Sequence, residues 1–197
     1  MRILSGLCFL ALCPLLTFAK QGNETLKEFP NTTEINLAVT QASRAMDAYA
    51  TIVAQAQQLI GKSEPGDAFA QDRQLISNWK LIEKGLKAEP QKFNSQLGFD
   101  MVLTLDDASR NASLCATSAL TQVMKDITNG KMDQSTLLVT LSQNCTDNST
   151  LLYTVSENAA ALYHKYLSWQ SQVSEQVLDA MGKCSAALKE VNDRKKQ

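Results

Sequence analysis

From Leu152 to Val191, apolar residues recur three or four positions apart without a gap: Leu152, Val155, Ala159, Leu162, Tyr166, Trp169, Val173, Val177, Met181, Cys184, Leu188 and Val191. Only one face of an α-helix repeats with that period. The run predicts a C-terminal helix of roughly 60 Å at 1.5 Å per residue. A helix striped along its whole length needs other apolar faces to cover it, so the rest of the chain is expected to supply helices too.

It does. Asn31 followed three residues later by Glu34 has the spacing of a capping box, with Thr33 as the alternative cap. Ile35, Ala38, Ala42, Ala45, Tyr49, Ile52, Ala56 and Leu59 then form one stripe, which stops at Gly61 before the breaker cluster Ser63-Glu64-Pro65-Gly66-Asp67. A second helix from about Ala68 carries Phe69, Asp72, Ile76, Trp79, Ile82 and Leu86 on one face and ends at Ala88-Glu89-Pro90. Pro90 suits the first turn of a third helix, continued by Phe93, Leu97, Met101 and Leu105. Gly98 and the polar stretch Asp106 to Asn111 predict a kink or break, after which Cys115, Leu120, Val123 and Ile127 lead to a C-terminal pair, Asn129-Gly130. Asp133 is placed as the cap of a short helix bearing Leu137, Leu138 and Leu141, and residues 145–149 as a polar corner before the long helix.

No segment shows sustained two-residue alternation, and the 8 Gly and 4 Pro fall mostly at these boundaries. The expected fold is all-α: an antiparallel helix bundle of about five helices with a long C-terminal helix, in one domain over residues 31–192. The spacing in the first and last helices suggests coiled-coil-like packing between them. Tyr49, Trp79, Tyr166 and Trp169 are read as core, although a stripe lining a ligand cavity has the same spacing.

The N-terminus reads as a cleavable signal peptide over residues 1–19. Arg2 supplies the positive end, Ile3 to Leu16 is nearly all apolar, and Thr17-Phe18-Ala19 offers small residues at the cleavage site. The apolar run is short of the ~20 residues a membrane span needs. Residues 20–30 are expected to be a mobile lead-in and 193–197 a polar tail, with no later anchor. Removing Arg2 with the peptide leaves 18 Lys+Arg against 20 Asp+Glu, a net charge near −2. No clustered basic face is available for nucleic acid. Five Asn-x-Ser/Thr acceptors, Asn23, Asn31, Asn111, Asn144 and Asn148, fit a secreted glycoprotein. Asn144 and Asn148 are too close for both to be modified efficiently.

Cys8 and Cys13 leave with the peptide, so Cys115, Cys145 and Cys184 remain in an oxidising compartment. Cys115 and Cys145 lie fifteen residues before and after Gly130. In an antiparallel hairpin turning at that glycine they face one another, and a disulfide there closes a loop worth ~3–4 kcal/mol in the chain-entropy picture. Cys184 is 39 residues past Cys145, more than about 50 Å along a continuous helix. It is left as an unpaired thiol, either a buried small hydrophobe on the stripe or an intermolecular bridge making a homodimer.

Nothing points to catalysis. His164 is the sole histidine, no Cys-x-x-Cys or Gly-x-Ser-x-Gly occurs, and no phosphate-binding glycine loop is present. Asp106-Asp107 reads as a solvated loop, and Asp47, Asp72 and Glu83 as helix-surface charges. No catalytic, cofactor-binding or metal-ligating residue is assigned. Cys145, the run Tyr153-Thr154-Val155-Ser156-Glu157-Asn158-Ala159-Ala160-Ala161-Leu162-Tyr163, and Cys184 some 20 residues later resemble the secreted insect proteins with a TsetseEP-type domain, over residues 111–190. The resemblance implies a secreted protein without defined biochemical activity and transfers no functional residue. The expectation is therefore a secreted, glycosylated interaction protein whose partner is an extracellular protein. A carrier of an apolar ligand and a structural or protective component of an extracellular fluid or surface are the alternatives.

Overall fold

The computed structural model describes residues 28–61, 68–131 and 134–194, so the signal peptide, Asn23, most of the lead-in, Asp133 and the last three residues lie outside them. Among the described residues every regular element is helical. There are four α-helices: α1 (Thr32–Leu59), α2 (Ala70–Ala88), α3 (Ser95–Thr128) and α4 (Ser135–Arg194), with a 3-10 turn at Pro90–Lys92 between α2 and α3.

The ends follow from local chemistry. Asn31 Oδ1 accepts from the Glu34 amide at 2.9 Å while the Glu34 carboxylate accepts from the Asn31 amide at 3.0 Å, a complete capping box that satisfies two otherwise orphaned donors. Pro90 starts the 3-10 turn rather than α3, whose cap is Asn94, accepting from the Leu97 amide at 3.0 Å. At the far end of α3, Gly130 adopts φ +68°. Its amide bonds to Ile127 and that of Lys131 to Asp126, the paired bonds of a Schellman stop that needs a residue without Cβ strain.

Two expected breaks are absent. Asp106 to Asn111 lies inside an unbroken α3, where Asp106 and Arg110 pair one turn apart at 2.6 Å. The predicted corner at 145–149 is helical as well, so the short helix and the long one are a single 60-residue α4 and the count falls from about five to four. Asn148 and Ser149 there turn toward neighbouring helices rather than ending α4, while Thr146 and Asp147 stay exposed. Ser109 and Ser149 each donate a hydroxyl hydrogen bond to the other's carbonyl at 2.9 Å. Ser142 donates to the Ala116 carbonyl at 3.1 Å and Ser156 to the Val102 carbonyl at 3.4 Å. These contacts recur every seven residues, and each pair is equidistant from Asn129, so α3 and α4 run in opposite directions in one register. The Cys115–Cys145 disulfide lies on the same seam, with Cα atoms 6.0 Å apart, and is the pairing that distance from Gly130 predicts.

The seam is dominated by small side chains, with Ala108, Ala112 and Ala119 fully buried beside the serines. Gly98 extends it: a Cβ there would lie 2.7 Å from the Tyr163 ring, so the glycine read as a weak point in fact lets α3 approach α4. The larger core lies between α1, α2, α3 and α4 around Ile35, Tyr49, Trp79, Leu86, Met101 and Leu152. A second cluster, with Ile52, Ala56, Leu138 and Leu141, surrounds the disulfide. One end of the core is closed by aromatic rings. Phe29 packs edge-on against Trp169 at 4.9 Å and Tyr166 at 5.8 Å, and Phe93 against Tyr166 at 5.7 Å. Phe29 and Pro30, expected in the lead-in, are thus packed against the core.

Replacing Cys115 and Cys145 with serine should lower unfolding stability by about 3–4 kcal/mol, because the unfolded chain regains the entropy of an open loop. Helical content should be unchanged, since the serine–carbonyl contacts remain. Denaturant titration followed by circular dichroism measures both.

Candidate interaction surface

The chemistry-bearing side chains gather as ties between helices. The Tyr49 hydroxyl, on α1, donates to Asp72 Oδ1 on α2, and Asn111 Nδ2, on α3, donates to the same oxygen at 2.9 Å. Tyr49 is buried, and burial, reinforced by the adjacent carboxylate, raises its hydroxyl well above the ordinary tyrosine range. Asp72 is therefore no simple surface charge: it joins three helices. Glu83 accepts from Ser43 of α1 at 2.7 Å and pairs with Lys87 one turn on, and these bonds hold its carboxyl below the usual range. Glu34 is lowered by Lys165 of α4, which donates to both of its oxygens at 2.7 and 2.8 Å, and then by the Asn31 amide.

A cleft of about 220 Å³ opens beside Asp72 and Asn111, floored by Phe69, Leu114 and Cys115. Grooves of about 380 Å³ follow the α1–α4 junction, and one of about 440 Å³ follows α2 and α3 past Leu81 and Leu103. Tyr49, Trp79, Tyr166 and Trp169 line none of these four clefts; they pack in or against the core. His164 is exposed on α4 beside Tyr163. Among the described residues no three metal-binding side chains cluster, and no helix is long and apolar enough to cross a membrane.

The glycan acceptors separate by burial. Asn31 is exposed at a helix cap and Asn144 is exposed on α4. Asn111 is half-buried and tied to Asp72. Asn148 is only 4% exposed, and its Nδ2, the atom a glycan would occupy, donates to the Ala45 carbonyl at 3.1 Å. A sugar on Asn148 is incompatible with this packing. A sequon carries no information about which way its asparagine faces, so spacing alone makes Asn148 an acceptor.

The apolar stripe of α4 divides in two. Leu152, Val155, Ala159, Leu162 and Tyr166 are buried, but beyond Val173 the stripe is exposed. Val177, Leu178, Met181 and Leu188 are each more than half exposed, and Cys184 is exposed with a free thiol rather than buried. From Gln170 to Arg194 the helix runs on by some 37 Å at 1.5 Å per residue, with Gln172 and Val173 half-buried at its root and, from Ser174 to Glu190, every side chain except Ala180 exposed among the described residues. At about 100° per residue, Val177, Ala180, Met181, Cys184, Ala187 and Leu188 fall within ~60° of one meridian, the one that carries Leu162 and Tyr166 into the core. Apart from Arg194 near the end of the helix, the charges lie elsewhere. Glu175, Asp179, Lys183, Lys189 and Glu190 sit ~100° or more away by the same rotation, and Asp179 and Lys183 pair along the helix at 2.8 Å.

No family model, curated protein or solved structure matches the chain. The geometry alone distinguishes the overhang: a helix face patterned as core, with nothing from the described residues covering it.

The Tyr49 hydroxyl yields a pH test. A proton held more tightly in the folded than in the unfolded chain stabilises the fold fully below the ordinary tyrosine pKa of ~10, and that stability declines as pH rises above it. Unfolding free energy should therefore fall above pH ~10, and Tyr49→Phe should abolish much of that slope. At neutral pH the same substitution should cost about 1.5–3 kcal/mol, the range for a hydrogen bond to a charged group. Denaturant midpoints across the alkaline range measure both effects.

Proposed function

We propose that the chain is a secreted, N-glycosylated, antiparallel helix bundle that acts by binding another protein and has no catalytic activity. The observation that carries this reading is the bare apolar face of α4 beyond Val173. Soluble chains rarely leave a continuous apolar surface uncovered unless something binds there, and a helix laid along such a face is a recurring recognition mode. The charge partition supports it. On a helix that served only as a solvated spacer, charges would be spread around the circumference rather than kept off one side. The signal-like N-terminus and the exposed sequons Asn31 and Asn144 support a secreted, glycosylated product, and the resemblance to secreted TsetseEP-type proteins points the same way. A carrier role has less support, because Tyr49 and Trp79 are buried in the core and Tyr166 and Trp169 pack against each other and Phe29.

Two experiments test the proposal on the full chain expressed in secretory cells. A photo-crosslinking residue at Leu188 should capture a protein, while one at Lys189, turned about 100° further around the helix and off the apolar face, should not. Equal capture at both positions, or none at Leu188, would remove the interaction reading. Glycopeptide mapping of the secreted product should find sugar on Asn31 and none on Asn148. A product retained in the cells would overturn secretion.

A further inference from the structure

We propose that the overhanging end of α4 pairs with the same segment of a second copy, in antiparallel orientation, with Cys184 of each chain bridged to the other across the two-fold axis. This rests on reading the overhang as an interaction face and names its occupant.

Three observations favour a second copy. First, the face carries almost no charge to match. Residues flanking its apolar centre, such as Ala180 and Ala187, are small and neutral; of the charged side chains of this segment only Arg194, seven residues past Ala187 on the same flank, comes near it, and it is paired with Glu190. Partners of different sequence are normally selected by charges beside the seam. A neutral seam instead lets identical helices meet without placing like charges opposite each other. Second, the body of the protein dictates direction. The exposed face continues the core-facing side of α4, so α1 and α3 occupy the space in front of its root. A parallel second helix would run back into that space. A helix entering from the free C-terminal end meets only the overhang. Third, a two-fold axis through such a pair passes near the middle of Gln170–Arg194, and Cys184 lies two residues from that midpoint. In this register Leu188 faces the partner's Ala180 and Met181 faces the partner's Ala187. Large side chains against small ones allow the close approach that a disulfide requires, with Cα atoms about 4.4–6.8 Å apart.

The bridge forms by exchange with a low-molecular-weight disulfide such as oxidised glutathione. Each of the two Cys184 thiols gives up its proton, one S–S bond forms between the chains, and the two electrons reduce the small disulfide to two thiols. The link makes the helix pairing intramolecular, so the dimer persists on dilution.

The test uses the full chain from secretory cells, with non-reducing and reducing gels and sedimentation at micromolar concentration. The expected result is twice the chain mass without reductant and the single-chain mass with it. Cys184→Ser should remove the covalent dimer. Leu188→Glu should weaken association about tenfold or more by burying a charge in the seam. In the Cys184→Ser background, Val177→Cys should not bridge, because antiparallel pairing separates the two copies of that position, whereas parallel pairing would bridge them. All three substitutions lie beyond the packed body, so its thermal midpoint should not move. A monomer under both conditions, a dimer indifferent to Leu188→Glu, or a Val177→Cys bridge overturns the proposal. Crosslinking from Leu188 to a different protein, with this chain monomeric, would overturn self-pairing and leave the interaction reading intact.

Discussion

The structure depends on the contact between α3 and α4, where serine hydroxyls donate to carbonyls of the facing helix at seven-residue intervals. A carbonyl already bonded within its helix has a second lone pair, so each serine is satisfied without breaking the helical ladder. Small side chains bring the backbones close enough for this to happen, and the Schellman turn at Gly130 determines which residues face each other. The disulfide fastens the register. A one-residue slip would separate Ser109 from Ser149 and Cys115 from Cys145 together.

The other helices follow from that hairpin. α1 lies against α4, with Asn148 donating to the Ala45 carbonyl and Lys165 reaching Glu34. α2 covers the remaining side and is tied to α1 through Ser43–Glu83 and to α1 and α3 through Asp72. The partners of this sheath end near Trp169, where Phe29 and Phe93 close the core. Among the described residues α4 is longer than anything that covers it. Its last 25 residues keep the core-facing pattern with no core of described residues beneath them, and the proposed binding role resides in that excess length.

Much of the fold is legible in the sequence because periodic apolar spacing and cap chemistry are local signals. The Asn31–Glu34 box, the stop at Asn129-Gly130, the long C-terminal helix and the Cys115–Cys145 pair are all readable from spacing. The failures share one cause. Asp106 to Asn111 and residues 145–149 look like breaks because polar residues interrupt the stripe, yet Ser109, Asn111, Asn148 and Ser149 face other helices and bond to them. Whether a serine ends a helix or joins it to a neighbour depends on what stands opposite, and that is settled only by the tertiary register. The seven-residue recurrence of Ser142, Ser149 and Ser156 was the available clue. The end of the packed body was equally hidden, since the stripe of α4 continues past Trp169 without change, and Cys184 therefore reads as buried on pattern alone.

Native-state hydrogen exchange of the full chain tests this account most directly. If α4 is one helix held to α3 by the serine–carbonyl seam, the amides of residues 145–149 exchange as slowly as those of the flanking turns and are released only by global unfolding. If those five amides exchange as fast as a surface loop while their neighbours stay protected, α4 is broken there and the proposed register between α3 and α4 is wrong.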